Sequence, residues 1–231
     1  MYTPSFYKEN RTDLIAKLIR ENSLATVIST NATGNISVSH LPLILKNANE
    51  NNPVNDADLE LWGHMARANP HWEQLRAATS IKVIFHGPDS YISPAWYIES
   101  KDNVPTWNYS VVHCSGDFEI ISEPKAALKD MQAVIAEFEQ RYGTNWSLAT
   151  ADENDRPNVD SSSVHKDVTA MLPHIVVFRF KNLKLDAKFK LSQKLDKVSR
   201  ETTIAELKAL GEEKTDSTLF DLAEYMELTR S

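Results

Sequence analysis

The sequence contains little cysteine and little glycine, with one cysteine and six glycines among 231 residues. The single cysteine, Cys114, excludes an internal disulfide and any metal site that needs several cysteines from one chain. Cys114 lies in an apolar stretch, which indicates inert packing. The sequence has no glycine-rich nucleotide-binding loop, so a Rossmann or P-loop protein is not favoured.

Other absences narrow the function classes further. No stretch approaches the roughly 18 consecutive apolar residues of a membrane span, and the N-terminal residues lack the apolar region of a secretory signal. We therefore expect a cytoplasmic protein that does not enter a membrane. The HExxH zinc pattern and the GxSxG elbow of serine hydrolases do not occur, so neither a metal site nor a hydrolase is favoured.

The formal net charge of −7 weighs against wholesale binding of nucleic acid, which needs a basic face. One local exception is a basic run between residues 181 and 200. It contains Lys181, Lys184, Lys188, Lys190, Lys194, Lys197 and Arg200 against Asp186 and Asp196. A solvated surface is the favoured interpretation of such a run. Direct contact with DNA is the alternative, which the net charge does not support.

Hydrophobic periodicity predicts a mainly β protein with several helices. The expected helices cover 12–22 (with Thr12 as N-cap), 124–141, about 202–210 and 217–228. The expected strands cover 24–30 and 36–45 as a hairpin, then 59–64, 81–87, 91–97 as an interrupted edge, 109–122 as a bent strand or strand pair, 173–182 and 183–193. Residues 46–58 and 143–163 are expected to be surface excursions. Short connections between many strands favour a closed antiparallel barrel with helical decoration.

The stretch GHMARANPHW (63–72) carries two potential cations before a helix. Asn69 is a suitable N-cap and Pro70 suits the first helical position. Free N–H groups and the helix dipole at that end favour an anion, and Arg67 could bind a phosphate in a forked geometry. With His64 nearby, the stretch predicts an anion site of phosphate size. A merely capped helix with Arg67 on the surface is an equally open interpretation.

Aromatic and imidazole side chains offer weaker signals. The five tryptophans include several beside turns, where they could form apolar walls of a pocket for a flat ligand. Core or dimer packing is the more common role of each one. The seven histidines show no metal-binding pattern, and a lone histidine on a strand is more often a core residue.

Five motifs in one order are more specific than any single feature. They are SHLPLIL (39–45), GHMARANPHW (63–72), IFHGPDSYISPAWY (84–97), NVPTWNYSVVH (103–113) and KFKLSQ (188–193). Together they resemble the PaiB family of FMN-binding negative transcriptional regulators. The resemblance implies a split β-barrel of the flavin-reductase and pyridoxamine-phosphate-oxidase type over residues 1–200, with a helical C-terminal extension over 201–231. It also implies FMN as cofactor and a homodimer.

The resemblance further suggests which residues hold the flavin. By that likeness Arg67, with His64 and Asn69, grips the phosphate. Side chains along the ring or ribityl chain would be Ser39, His40 and Leu41. Polar contacts, in one interpretation from the partner subunit, would come from Lys190, Ser192 and Gln193, and Trp107 would close the pocket. The family's lysine-serine-glutamine stretch usually continues with Asn, whereas this chain has Lys194.

Three functions remain open at this stage. The first is a flavoprotein with FMN-dependent oxidoreductase activity, for which the sequence names no catalytic acid or base. The second is the transcriptional regulation that the family name describes, although no helix-turn-helix is evident. The third is haem binding or degradation, for which His40, His64, His86 and His113 are the candidate axial ligands.

Overall fold

The computed structural model describes residues 1–47, 58–98, 103–144, 146–148, 164–165 and 171–229. The predicted excursions at 46–58 and 143–163 lie mostly outside the described residues. The chain divides into two compact units. The first unit comprises Met1–Asn22, Phe85–His113 and Asp186–Ser231, and the second comprises Ser23–Ile84 and Cys114–Leu185.

The described residues form nine strands and five α-helices. The strands are β1 (Lys8–Glu9), β2 (Leu24–Thr30), β3 (Ile36–Lys46), β4 (Glu60–Ala66), β5 (Ser80–Ile92), β6 (Thr106–Ile120), β7 (Ser147–Leu148), β8 (Val164–His165) and β9 (Ile175–Lys190). The helices are α1 (Thr12–Glu21), α2 (His71–Arg76), α3 (Pro124–Tyr142), α4 (Lys197–Lys214) and α5 (Ser217–Leu228). The seven-stranded sheet has the order β1-β9-β4-β3-β2-β5-β6, and β6 also pairs with β9, so the order closes on itself.

The predicted hairpin of β2 and β3 is confirmed in the second unit. The strands pair antiparallel with Val27 opposite Ser39. The turn between them is held by the Asn31 side chain, whose Oδ1 accepts hydrogen bonds from the backbone N–H groups of Thr33 and Asn35. Gly34 adopts a φ of 82°, a conformation that favours glycine. Alternate residues of β2 are buried, as are Leu41 and the run Leu43–Leu45 on β3, which gives this unit an apolar interior.

The first unit is built on helices packed by their apolar sides. The predicted stripe on α1 is confirmed, because Leu14, Ile15, Leu18 and Ile19 are all buried. The prediction of Thr12 as N-cap was wrong: Thr12 is the first helical residue, and Arg11 occupies the cap position without a side-chain hydrogen bond. Helix α4 begins at Lys197, earlier than the sequence pattern indicated, because Asp196 caps it through the N–H of Ser199.

Several predicted strands merge into longer ones. The predicted strands 173–182 and 183–193 are joined in one continuous strand, β9 (Ile175–Lys190). The predicted segment 109–122 belongs to the single strand β6, which ends two residues earlier, at Ile120. The expected edge segment 91–97 ends as a strand at Ile92 and continues as a 3-10 turn over Pro94–Trp96. At Gly116 the neighbouring backbone lies so close that a Cβ would be 2.6 Å from the carbonyl oxygen of Lys181, which explains glycine at that point.

The described part of the chain contains no helix long and apolar enough to cross a membrane. Within the same residues, no cluster of three or more His, Cys, Asp and Glu side chains could hold a metal ion.

Candidate functional site

The turn between β4 and α2 is fixed by backbone contacts. The N–H of Arg67 donates to the carbonyl oxygen of His174 over 2.8 Å, and the N–H of Asn69 donates to that of Ala66 over 2.9 Å. The indole Nε1 of Trp72 donates to the carbonyl oxygen of Arg67 over 3.0 Å. These bonds give residues 67–72 a defined geometry rather than that of an open loop.

The guanidinium of Arg67 is oriented by two carbonyl oxygens. Its Nε donates to Pro173 over 2.8 Å and its Nη2 to Ile175 over 2.7 Å. Among the described residues, Nη1 has no hydrogen-bond partner and no carboxylate lies within ion-pair distance of the side chain. Arg67 is also exposed. The result is a fixed positive charge with donors still available for an anion.

Arg67 lies at the wall of a cavity of about 570 Å³ within the second unit. The wall is otherwise apolar, apart from Ser122. The other lining residues are Ile120, Ile121, Pro124, Ala127, Leu172, Pro173, Ile175, Val176 and Val177. Pockets for small organic ligands have this size and an apolar lining with a few polar groups. The cavity could therefore hold a flat apolar ring system attached to an anionic group.

Helix α3 forms one side of this cavity and is anchored to β9. The carboxylate of Asp130 accepts two hydrogen bonds from Arg179, at 2.7 and 2.6 Å. The same guanidinium lies 4.1 Å from the ring centre of Trp62. Below α3, the side chains of Ala127 and Met131 pack on Val177. The helix position is thus set by a buried ion pair as well as by apolar contacts.

His71 connects the turn to the hairpin of β2 and β3. The imidazole is 2% exposed. Its Nδ1 lies 2.8 Å from the hydroxyl of Ser39, and its Nε2 lies 2.9 Å from that of Ser29. Burial lowers the pKa of His71, which favours the neutral ring. Sequence reasoning missed this residue, although it occupies the centre of the polar contacts.

Asn69 completes the network. Its Nδ2 donates to the Ser39 hydroxyl over 3.2 Å, and its Oδ1 accepts the backbone N–H of His71 over 3.0 Å. The predicted helix start was one residue early, because α2 begins at His71 with Pro70 at the cap position. Helix α2 has only six residues, and the side chain of Asn69 already occupies its first N–H. Of the groups expected to bind an anion at the helix end, Arg67 is therefore the one that remains available.

The other predicted contacts in the second unit point in different directions. Ser39 and Leu41 are on the inner face of β3, where Leu41 is buried. His40 is on the outer face, and its Nδ1 lies 3.2 Å from the Thr26 hydroxyl. His64 is opposite Val177 across the β4–β9 pair, so the two side chains share a face of the sheet. Buried Nδ1 of His64 has no hydrogen-bond partner among the described residues, and burial lowers the pKa of this ring.

The remaining predicted contacts are in the first unit. Trp107 is 54% exposed and meets Tyr91 edge-on, with 6.4 Å between ring centres. Lys190 donates to the Trp107 carbonyl oxygen over 2.7 Å and to the Thr106 hydroxyl. Burial, followed by the charge of Lys188, lowers the pKa of Lys190.

Ser192 and Gln193 have internal hydrogen bonds. The Ser192 hydroxyl donates to Oδ1 of Asn108 over 3.0 Å, and both residues are buried. Gln193 accepts the Leu191 N–H over 2.8 Å and donates to the Phe189 carbonyl oxygen. Both side chains therefore shape the turn after β9, and their predicted role toward a ligand stays a prediction.

A second cavity, of about 490 Å³, lies within the first unit. Alternate residues of β6 line this cavity. Two of the four histidines that the sequence offers as axial haem ligands, His86 and His113, are also in the lining. The lining consists of Met1, His86, Gly87, Asp89, Trp107, Tyr109, Ser110, Val111 and His113. The hydroxyl of Ser110 is buried and has no hydrogen-bond partner among the described residues.

The basic run of residues 181–200 does not form one basic face. Lys181 pairs with Glu119 at 2.5 Å in the second unit. In the first unit, Lys194 lies 3.7 Å from the ring centre of Phe6. Arg200 is buried and donates to the Thr229 hydroxyl and the Met226 carbonyl oxygen. Lys181, Lys194 and Arg200 thus have internal contacts, and of these three residues only Arg200 is buried.

Comparison with known protein families supports a flavin-binding chain. Residues 1–181 match the family model described as "Putative FMN-binding domain". The Bacillus subtilis "Protease synthase and sporulation protein PAI 2" is 30% identical over 207 residues, which cover 90% of this chain and 89% of that protein. An uncharacterized protein of Aspergillus fumigatus is 25% identical over 242 residues, covering 92% and 93% of the two chains.

Solved structures support the fold. The FAD and haem binding protein from Mycobacterium smegmatis superposes with a TM-score of 0.51 at 14% identity, over 80% of this chain and 73% of that chain. The flavocytochrome Anf3 from Azotobacter vinelandii gives a TM-score of 0.50 at 13% identity, over 84% and 72%. Identities this low bear on the fold alone. The predicted split β-barrel, mainly antiparallel sheet with helical decoration, is confirmed.

Proposed function

The chain belongs to the family of FMN-binding domains, and from this premise we propose that it binds FMN with the phosphate on Arg67. The observation that carries the proposal is the state of the Arg67 side chain. Two carbonyl oxygens hold it, its charge meets no carboxylate among the described residues, and it borders an apolar cavity. A dianionic phosphate compensates such a charge with short hydrogen bonds.

The residues around the cavity fit the rest of the cofactor. Its apolar wall suits an isoalloxazine ring, and Ser122 offers one hydroxyl. The buried Nδ1 of His64 has no hydrogen-bond partner among the described residues, but His64 is not one of the residues that line this cavity. Bound FMN would supply hydride and single-electron chemistry, while the protein positions it and excludes water. The proposed activity is accordingly that of an FMN-dependent oxidoreductase.

Trp107 and Lys190 are proposed as additional flavin contacts on the strength of the family resemblance. The exposed Trp107 ring offers a stacking surface, and Lys190 has no ion-pair partner among the described residues. Substitution of each residue separately measures whether it contributes to FMN affinity.

The test is a titration of the purified protein with FMN and with riboflavin, which lacks the phosphate. Bound flavin is measured from its fluorescence and visible absorption. Arg67→Ala is expected to weaken FMN binding by about tenfold to a hundredfold, which is the effect of losing a charge-assisted hydrogen bond. The affinity for riboflavin should remain nearly unchanged. Arg76→Ala is the matched control, because Arg76 is an exposed arginine at the end of α2.

Two outcomes would remove the proposal. Wild-type protein that binds no FMN at large excess has no functional flavin site. Equal loss of FMN affinity in the Arg67→Ala and Arg76→Ala proteins would show that the phosphate responds to general surface charge instead of Arg67.

We also propose a regulatory role without strong direct contact with DNA. The name of the B. subtilis relative contains the words protease synthase and sporulation, and the family resemblance implies negative regulation of transcription. The net charge of −7 and the internal contacts of the basic run argue that regulation proceeds through the flavin or a partner. A DNA-binding assay over a range of salt concentrations tests this, because direct phosphate contacts give a steep salt dependence.

Haem is the second candidate ligand, and one observation favours it. His86 and His113 line the same 490 Å³ cavity as Trp107 and Tyr109. An imidazole beside an aromatic wall is a suitable axial position for a flat macrocycle. Titration with haemin tests this candidate: a Soret band that His86→Ala or His113→Ala shifts would support it, and free-haemin spectra throughout would exclude it.

The proposed assembly is a homodimer that covers an apolar sheet face of the second unit. Leu24 on β2 is 65% exposed, and Ile36 and Val38 on β3 are 68% and 54% exposed. Leu24 pairs with Pro42 and Ile28 with Val38 across the two strands, so these side chains form one outer surface. The Thr26–His40 pair interrupts this surface between Leu24 and Val38. Exposed apolar side chains grouped on one face in this way are typical of a protein–protein interface.

A further inference from the structure

We infer that His71 is a positioning residue that gives this protein its preference for phosphorylated over unphosphorylated flavin. The inference rests on the proposed FMN site at Arg67. His71 lies four residues beyond Arg67, at the other end of the same turn, and is one of the most deeply buried polar residues of the second unit. Its role would be to hold the turn, and not to touch the cofactor.

The hydrogen bonds of the network engage both nitrogens of the ring. Nδ2 of Asn69 donates to the Ser39 hydroxyl, whose oxygen also lies 2.8 Å from Nδ1 of His71. Nε2 lies 2.9 Å from the Ser29 hydroxyl, so in the neutral ring one nitrogen donates to one serine and the other accepts from the other serine. The turn is thus tied to two strands at once.

The network divides into two halves with different consequences. The Nδ1 half connects through Ser39 to Asn69, and so to the backbone of the turn that carries Arg67. The Nε2 half connects only to β2, through Ser29. Loss of the Nδ1 half should release the turn and displace Arg67 from the phosphate, whereas loss of the Nε2 half should chiefly affect packing.

Two conservative variants separate the halves. The amide of His71→Asn reaches about as far as Nδ1 and can still form a hydrogen bond with the Ser39 hydroxyl. The amide of His71→Gln reaches about as far as Nε2. It can therefore form a hydrogen bond with the Ser29 hydroxyl, while the hydrogen bond that Nδ1 makes with Ser39 is lost. A second pair makes the same comparison from the strands: Ser39→Ala removes the Nδ1 half and Ser29→Ala removes the Nε2 half.

The experiment measures the dissociation constants of FMN and riboflavin for all four variants, together with the melting temperature. In His71→Gln and Ser39→Ala, FMN affinity should fall by about tenfold, the usual effect of one lost hydrogen bond, with riboflavin affinity unchanged. His71→Asn and Ser29→Ala should keep the wild-type ratio of FMN to riboflavin affinity, even where their melting temperatures are lower.

A purely structural role predicts a different pattern. FMN and riboflavin affinities would then fall together, in proportion to lost stability, in all four variants, and this would overturn the inference. An unchanged ratio in both His71→Gln and Ser39→Ala would overturn it as well. If wild-type protein binds no FMN, or binds riboflavin equally well, the proposed phosphate site itself fails and the inference falls with it. If His71→Gln does not fold, the comparison of Ser39→Ala with Ser29→Ala tests the inference by itself.

Discussion

Asp130 on α3 and Arg179 on β9 form a bidentate ion pair in the second unit. Nε of Arg179 lies 2.7 Å from one carboxylate oxygen of Asp130, and Nη2 lies 2.6 Å from the other. Asp130 is 2% exposed, and the hydrogen bonds that Arg179 donates to it raise the pKa of Arg179. Because Ala127 on the same helix lines the 570 Å³ cavity, this pair helps to fix one wall of the candidate flavin site.

Replacing Asp130 with Ala should destabilise the protein by about 2 to 3 kcal/mol, because Arg179 loses two charge-assisted hydrogen bonds and keeps Glu60, 3.8 Å away, as its ion-pair partner. Glu137→Ala on the same helix is the control. Glu137 meets Arg141 at 3.5 Å on a part-exposed surface, and such pairs contribute about 0 to 1 kcal/mol. Denaturant unfolding measures both variants. Equal losses would show that the Asp130 pair adds nothing beyond an ordinary surface contact.

Stability should decrease when the pH falls below about 6.5, the ordinary pKa of histidine. Burial lowers the pKa of both His64 and His71 in the folded chain. The unfolded chain then binds more protons than the folded chain below pH 6.5, so protonation favours unfolding until the folded-state pKa is reached. Protonated His71 would be a donor at both ring nitrogens, so neither the Ser39 nor the Ser29 hydroxyl could donate its proton to the ring.

The measurement is the free energy of unfolding at pH 7.5 and pH 5.5. His64→Leu and His71→Asn should each reduce the difference between the two values relative to wild type. A wild-type free energy that is the same at both pH values, or variants with the full wild-type difference, would contradict the assignment to these two rings.

Much of the fold could be predicted because its signals are local. The Asn31–Asn35 turn and the alternation of β2 and β3 specify a hairpin over neighbouring residues. The stripe on α1 specifies a buried helix face in the same way. The continuity of β9 could not be predicted, because Asn182 adopts a positive φ of 51° that interrupts the pattern without ending the strand.

The site was only partly predictable, because its key contacts are distant in sequence. Arg67 was identified from its place before Asn69 and Pro70, but the carbonyl oxygens that orient it come from residues 173 and 175. His71 had a signal that went unused. Ser29 and Ser39 occupy inward positions of strands whose other inward residues are mostly apolar, and a buried hydroxyl requires a partner.

Val38→Glu should dissociate the proposed homodimer. Val38 is at the centre of the exposed face formed by β2 and β3, opposite Ile28, and a charge buried there between two copies would have no partner. Val198→Glu is the matched control, because Val198 on α4 is 52% exposed but belongs to the first unit. Sedimentation velocity should give a dimer for wild type and the control, and a monomer for Val38→Glu. A Val38→Glu protein that remains dimeric would place the interface elsewhere, and a monomeric wild type would remove the homodimer altogether.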